Sequence, residues 1–130
     1  MIKYLLISRK NPITKEYAYH ASAIPVQPVM LDEIAEAISN SCTVNTADIK
    51  AVIDALEKQI IERLRNGQSV RLGDLGSFHA RICSKACATE EGFAEQEGGG
   101  IKGLLVRFTP SSKMRYELSI KNPKVQIVRQ

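Results

Sequence analysis

With two histidines, three cysteines and no long apolar run, the sequence lacks the residues that several classes of function need. His20 and His79 stand in no recognisable nucleophile or acid–base arrangement, so no enzyme is expected. Cys42, Cys83 and Cys87 are too few and too unevenly spaced for a disulfide framework, which fits a reducing compartment. His79, Cys83 and Cys87 share parity on a strand and so invite a zinc site. Structural zinc, however, takes four ligands in a compact cluster, and residues four apart along a strand lie roughly 13 Å from one another. Small buried thiols are the better reading, and neither metal nor cofactor is expected. No stretch approaches the roughly 20 apolar residues that span a bilayer. The opening Met1-Ile2-Lys3-Tyr4-Leu5-Leu6-Ile7 has too short an apolar run for a signal peptide, and no small-residue cleavage site follows it. A soluble cytoplasmic protein with no membrane partner is expected.

What is present fits a single domain with a modest core: 130 residues, 44% of them hydrophobic. The net charge of +4 is unevenly spread. Residues 1–30 carry +3, 31–66 carry −3, 67–87 carry +2, 88–100 carry −4 and 101–130 carry +6. A one-faced nucleic-acid binder concentrates its bases in this way, because phosphate neutralisation and counterion release drive its affinity. An ordinary solvated surface reaches a similar balance, so charge alone leaves both readings open.

Along the chain, Tyr4-Leu5-Leu6-Ile7 and Tyr17-Ala18-Tyr19 read as strands joined by a turn at Asn11-Pro12, giving a hairpin and connector over residues 1–28. Pro25 and Pro28 each remove a ladder donor and mark the connector. Leu31, Ile34, Ala35 and Ile38 form the stripe of a first helix that stops near Asn40-Ser41. Thr46 is the expected N-cap of a second helix, with stripe Ile49, Val52, Ile53, Leu56, Ile60 and Leu64, ended by Asn66-Gly67. Gly73-Asp74-Leu75-Gly76 then interrupts a strand pattern, where glycine allows a bulge, a tight turn or the close approach of another chain. It lacks the G-x-x-x-x-G-K-[ST] pattern of a phosphate loop, and no small-molecule substrate is expected. The helical stripes expose more apolar surface than one small protomer can cover, which calls for a partner; alternatively the leading hairpin closes the core within one chain.

Two ordered segments carry a family resemblance. Val70-Arg71-Leu72-Gly73-Asp74-Leu75-Gly76-Ser77-Phe78 resembles the V-x-L-G-x-L-G-S-F signature of HU and integration host factor, the histone-like DNA-binding dimers. Arg107-Phe108-Thr109-Pro110-Ser111-Ser112-Lys113-Met114-Arg115 is similar to the F-x-P-G-x-K-L-[KR] run that opens their last helix. The likeness covers roughly residues 30 to 118; in its leading strand segment and degenerate arm tip the chain also resembles the Bacteroidetes-type HU-related subgroup. It implies an α+β, HU/integration-host-factor-like intertwined homodimer: a helical hairpin, then a three-stranded sheet with a β-ribbon arm, preceded here by the added hairpin. The domain would run over residues 29–120 with the arm at about 79–107, leaving 121–130 as a strand-like tail. Leu72, Leu75, Phe78 and Phe108 sit where the resemblance places dimer-core residues.

The implied role is non-enzymatic architectural binding of double-stranded DNA in the nucleoid with low sequence specificity, resting on backbone contacts and deformability. Arg71, Arg81, Lys85, Lys102 and Arg107 on the sheet and arm would carry it, with Ser111, Ser112, Lys113 and Arg115 at the start of the last helix. One departure matters. The family's arm ends in an R-x-N-P-x-T-G-like tip whose proline wedges between base steps, whereas here no proline lies between Phe78 and Pro110 and the tip holds Glu90, Glu91, Glu95 and Glu97. Three readings stand: a disordered, solubilising loop facing away from DNA; a module that has exchanged DNA for a protein partner; or Phe93 as a substitute wedge, against its more ordinary use as a packing anchor.

Overall fold

A computed structural model describes residues 1–95 and 97–130, with Glu97 and Gly98 described by backbone only. The architecture is α+β. In chain order the elements are β1 (Ile2–Lys10), β2 (Tyr17–Ala23), α1 (Leu31–Ser41), α2 (Thr46–Arg65), β3 (Val70–Arg71), β4 (Gly76–Ser84), α3 (Glu90–Glu95), a 3-10 turn (Glu97–Gly100), β5 (Ile101–Pro110), α4 (Ser112–Glu117) and β6 (Ile127–Arg129). They form two compact units, one of Met1–Met30 with Arg115–Gln130 and one of Leu31–Met114.

The first unit is a three-stranded sheet in the order β2-β1-β6. β1 and β2 pair antiparallel from Tyr4 opposite Ala23 to Lys10 opposite Tyr17. Asn11 closes their turn: its carbonyl accepts from the Lys15 amide at 2.8 Å and its side-chain oxygen from the Ile13 amide at 2.9 Å. The last residues join this sheet: β6 runs parallel to β1, with Ile127 opposite Ile2 and Arg129 opposite Tyr4. Before it, Asn122 is buried, its side-chain Nδ2 donating to Glu117 Oε2 at 3.1 Å and its Oδ1 accepting from the Lys124 backbone amide at 3.0 Å.

The second unit starts with the helical hairpin. The stripe of α1 buries Ala35, and α2 buries Ile49 and Leu64. The cap of α2 is Asn45 and not Thr46: Asn45 has extended backbone, and its Oδ1 accepts from the Asp48 amide at 2.8 Å, which leaves Thr46 as the first helical residue. Both residue types cap well, and the one whose oxygen reaches the free amide of the first turn takes the role. At the other end, Gly67 at φ 77° lets its own amide reach the Leu64 carbonyl and the Gln68 amide reach that of Arg63, a Schellman closure. Lys50 of α2 reaches Asp32 of α1 at 2.6 Å.

β3, β4 and β5 follow as an antiparallel sheet in that order. Between β3 and β4 the Leu75 amide donates to Leu72 and the Leu72 amide to Gly76, a tight turn with Gly73 at φ 50°. Gly76 is buried at φ 151°, and a Cβ there would collide with the Thr109 carbonyl and stand 2.7 Å from the Phe108 ring. The glycine is thus needed for backbone conformation and for close approach alike.

Little is covered in this chain. Among the described residues the buried hydrophobics are Ala35, Ile49 and Leu64. An apolar groove of about 310 Å³ opens where Ile38, Cys42, Val44, Ile49, Val52 and Ile53 converge. The cysteines are not small buried thiols: Cys42 and Cys87 are exposed and Cys83 is half-buried. β4 ends at Ser84, so Cys87 does not share the strand of His79 and Cys83 either. No helix among the described residues is long and apolar enough to cross a membrane.

Candidate nucleic-acid interface

Strand pairing sorts the second sheet into two chemically different faces. Val70 lies opposite Phe78 and Phe78 opposite Phe108, and the same face continues through Ala80 with Val106 and Ile82 with Leu104. The other face has Arg71 opposite Ser77, Ser77 opposite Thr109, His79 opposite Arg107 and Arg81 opposite Leu105. Side chains alternate along a strand, so this register puts three arginines on one face and the phenylalanines on the other. Strand spacing brings the guanidinium-bearing positions Arg71, Arg81 and Arg107 within roughly 10–15 Å of one another. All three are exposed. Among the described residues the ion pairs are Lys50–Asp32, Lys58–Asp54 and Lys113–Asp74, and the three arginines take part in none of them.

His79 and Thr109 lie on this face too, joined by a 2.9 Å contact between Nε2 and Oγ1. Neither is among the residues expected from the sequence, although strand parity from Arg81 points to His79. The remaining expected residues are scattered. Lys85 follows the end of β4, where its amide donates to Gly100 and closes the base of the arm tip at 2.8 Å. Lys102 falls at an irregularity in the ladder, between Ile101 opposite Ser84 and Gly103 opposite Cys83. Ser111 precedes α4 and is engaged twice: its hydroxyl donates to the Asp74 carbonyl and accepts from the Met114 amide, a helix cap. Lys113 stands 3.7 Å from the Asp74 carboxylate, which offsets part of its charge. Ser112 is exposed at the first position of α4, and Arg115 falls past the division with the first unit.

The expected dimer-core positions are Leu72 and Phe78, half-buried, and Leu75 and Phe108, 46% and 44% exposed. The described residues of the arm tip are not the expected disordered loop, and the side chain of Glu97 lies outside them. Glu90–Glu95 form the helical turn α3, opened by Thr89, whose hydroxyl accepts from the Gly92 amide at 3.0 Å. Phe93 is half-buried and its ring lies 2.7 Å from where a Gly100 Cβ would stand. Phe93 therefore serves as the anchor of the tip, and only a glycine leaves room for it.

The family model described as an HU domain fused to wHTH, Ig, or glycine-rich motif matches residues 1–124. The chain belongs to this HU-HIG family. At the level of the family it is an HU-type chain. Among solved structures it is similar to a candidate bacterial DNA-binding protein from Bacteroides vulgatus ATCC 8482, with 17% identity and a TM-score of 0.69 over 98% of this chain and 47% of that one. The HU-HIG chain thus spans about half the length of that relative. It is also similar to HU from Anabaena in a cocrystal with DNA, with 18% identity and a TM-score of 0.54 over 71% of this chain and 99% of that one. At such identities the likeness is one of fold. No curated protein matches.

Proposed function

We propose that this HU-HIG protein binds double-stranded DNA with low sequence preference, as a non-catalytic architectural protein of the nucleoid, and does so as a homodimer. The observation that carries the reading is the arginine face: Arg71, Arg81 and Arg107 share one side of the second sheet, exposed and outside the ion pairs of the described residues. Arginine forks grip phosphate oxygens whatever the base sequence, so such a face supplies affinity without readout. Lys85 and Lys102 extend the positive charge along the arm, with Lys113 and Arg115 in or near α4 as further phosphate contacts. The solved DNA complex of Anabaena HU supports the choice of ligand.

The homodimer follows from the uncovered apolar surface. Phe108 at 44% exposure, Leu75 at 46%, and the open groove at Ile38 and Val52 leave a core that one copy does not close. A second reading, an HU-fold module that holds a protein partner, draws on the ordered acidic helix α3, whose Glu90, Glu91 and Glu95 replace the bases expected of a DNA-gripping tip. Retention of a random-sequence duplex at low salt, measured on a dimer confirmed by sedimentation, separates the two. DNA binding predicts retention that disappears as salt rises; a folded dimer that retains no duplex at any salt favours the protein module.

A further inference from the structure

The two units divide the charge unevenly. Residues 1–30 and 115–130 hold eight bases and two acids, against ten bases and twelve acids in residues 31–114. The excess positive charge of the protein therefore resides in the first unit, with Lys3, Arg9, Lys10 and Arg129 on the strands of its sheet, and not in the HU-like unit.

The register of that sheet gives the charge a specific setting. Tyr4, Leu6 and Lys10 of β1 share a face with Tyr17 and Tyr19 of β2 and with Arg129 of β6. Tyr17 is 69% and Tyr19 72% exposed. Two residues apart on one strand, these rings sit roughly 7 Å from each other. That spacing suits neighbouring bases of an extended strand, one on each ring. Lys10 Nζ lies 5.9 Å from the centre of the Tyr17 ring, so a cation already stands beside the first ring.

We propose that this face binds single-stranded DNA, with bases stacked on Tyr17 and Tyr19, the phosphate between them met by Lys10, and a phosphate farther along the strand met by Arg129, roughly 20 Å from Tyr17 across the sheet. Charge complementarity selects the occupant: a polyanion fits a surface of this sign, and exposed aromatic rings among cations are the arrangement that holds unpaired bases without reading them. A duplex cannot use the rings, because its bases are stacked already. The surface is thus distinct from the arginine face of the second sheet. The choice of DNA over RNA rests on the duplex-binding reading given above; the stacking surface itself does not.

The test uses the full chain and a labelled thymidine oligomer of about ten nucleotides, within the range one small sheet accommodates. Because both rings are exposed, Tyr17→Ala with Tyr19→Ala empties no core, and circular dichroism checks the fold. The double alanine variant is expected to lose oligomer affinity by roughly tenfold or more, whereas the double phenylalanine variant keeps it, since stacking needs the ring and not the hydroxyl. Duplex affinity should be the same in all three proteins. With four tyrosines and no tryptophan, tyrosine emission reports the rings directly, and the oligomer should quench it in the parent and less in the alanine variant. Equal oligomer affinity of parent and alanine variant overturns the proposal. Loss of self-association in the alanine variant, with oligomer binding intact, overturns it in favour of a contact between copies. A uridine oligomer bound more tightly than the thymidine one overturns the assignment to DNA, while loss of duplex binding alone counts against the arginine face and leaves this surface standing.

Discussion

Phe78 and Phe108 meet directly across the β4–β5 ladder, their ring centres 5.0 Å apart and their planes tilted by 49°. A tilted aromatic pair is a favourable contact, yet Phe108 remains 44% exposed within one chain. In the proposed homodimer a second copy completes its burial. Phe108→Ala is expected to weaken the dimer by roughly 3–5 kcal/mol, the cost of truncating a core aromatic. Sedimentation equilibrium over a concentration series reads this directly. A well-folded parent that stays monomeric at high concentration contradicts it.

Gly76 lies against the same Phe108 ring. At φ 151°, with the Thr109 carbonyl and the Phe108 ring crowding any Cβ, Gly76→Ala adds backbone strain to overpacking. A destabilisation of about 2–5 kcal/mol is expected. It should appear as a lower denaturant midpoint at unchanged slope, and an unchanged midpoint would mean that β5 yields at this point.

At the start of α2, Asn45→Ala removes the oxygen that accepts from the Asp48 amide and should cost about 1 kcal/mol. Thr46→Ala, one residue later, should cost clearly less. Thermal unfolding of the two variants side by side tests the assignment, and the reverse order of stabilities refutes it.

In the arm tip, Phe93 packs against Gly100 and is not free to wedge between bases. With no proline between Phe78 and Pro110, the bend imposed on duplex should be smaller than kinks held open by an inserted side chain. Fluorescence transfer on an end-labelled duplex measures it. A sharp bend that survives Phe93→Ala would show that this protein deforms DNA by another route. Glutamine at Glu90, Glu91 and Glu95 should change duplex affinity only slightly, through weak long-range relief at low salt.

Legibility in the sequence followed the range of the interactions involved. The stripe through Ile49 and Leu64 and the stop at Asn66-Gly67 are local, and α2 lies where periodicity and caps put it. The cap itself fell on Asn45 because adjacent capping residues compete, and only backbone geometry decides between them. β6 pairs Ile127 with Ile2, a parallel pairing between the two ends of the chain that no local pattern announces. α3 is a six-residue helix whose order depends on Phe93 meeting Gly100, a meeting invisible to propensity. At the candidate interface, the resemblance pointed to Arg71, Arg81 and Arg107, while their grouping on one face required the register across Ser77 and Thr109.

The arginine face is the centre of the account, and the salt dependence of duplex binding tests it most directly. For the parent, log affinity should fall linearly with log salt, with a slope of about 0.9 for each phosphate neutralised. Replacing Arg71, Arg81 and Arg107 by alanine should weaken all duplex sequences alike and flatten the slope by about one for each phosphate left without its arginine. A triple variant that stays dimeric and binds duplex with the parent's affinity and slope would contradict it.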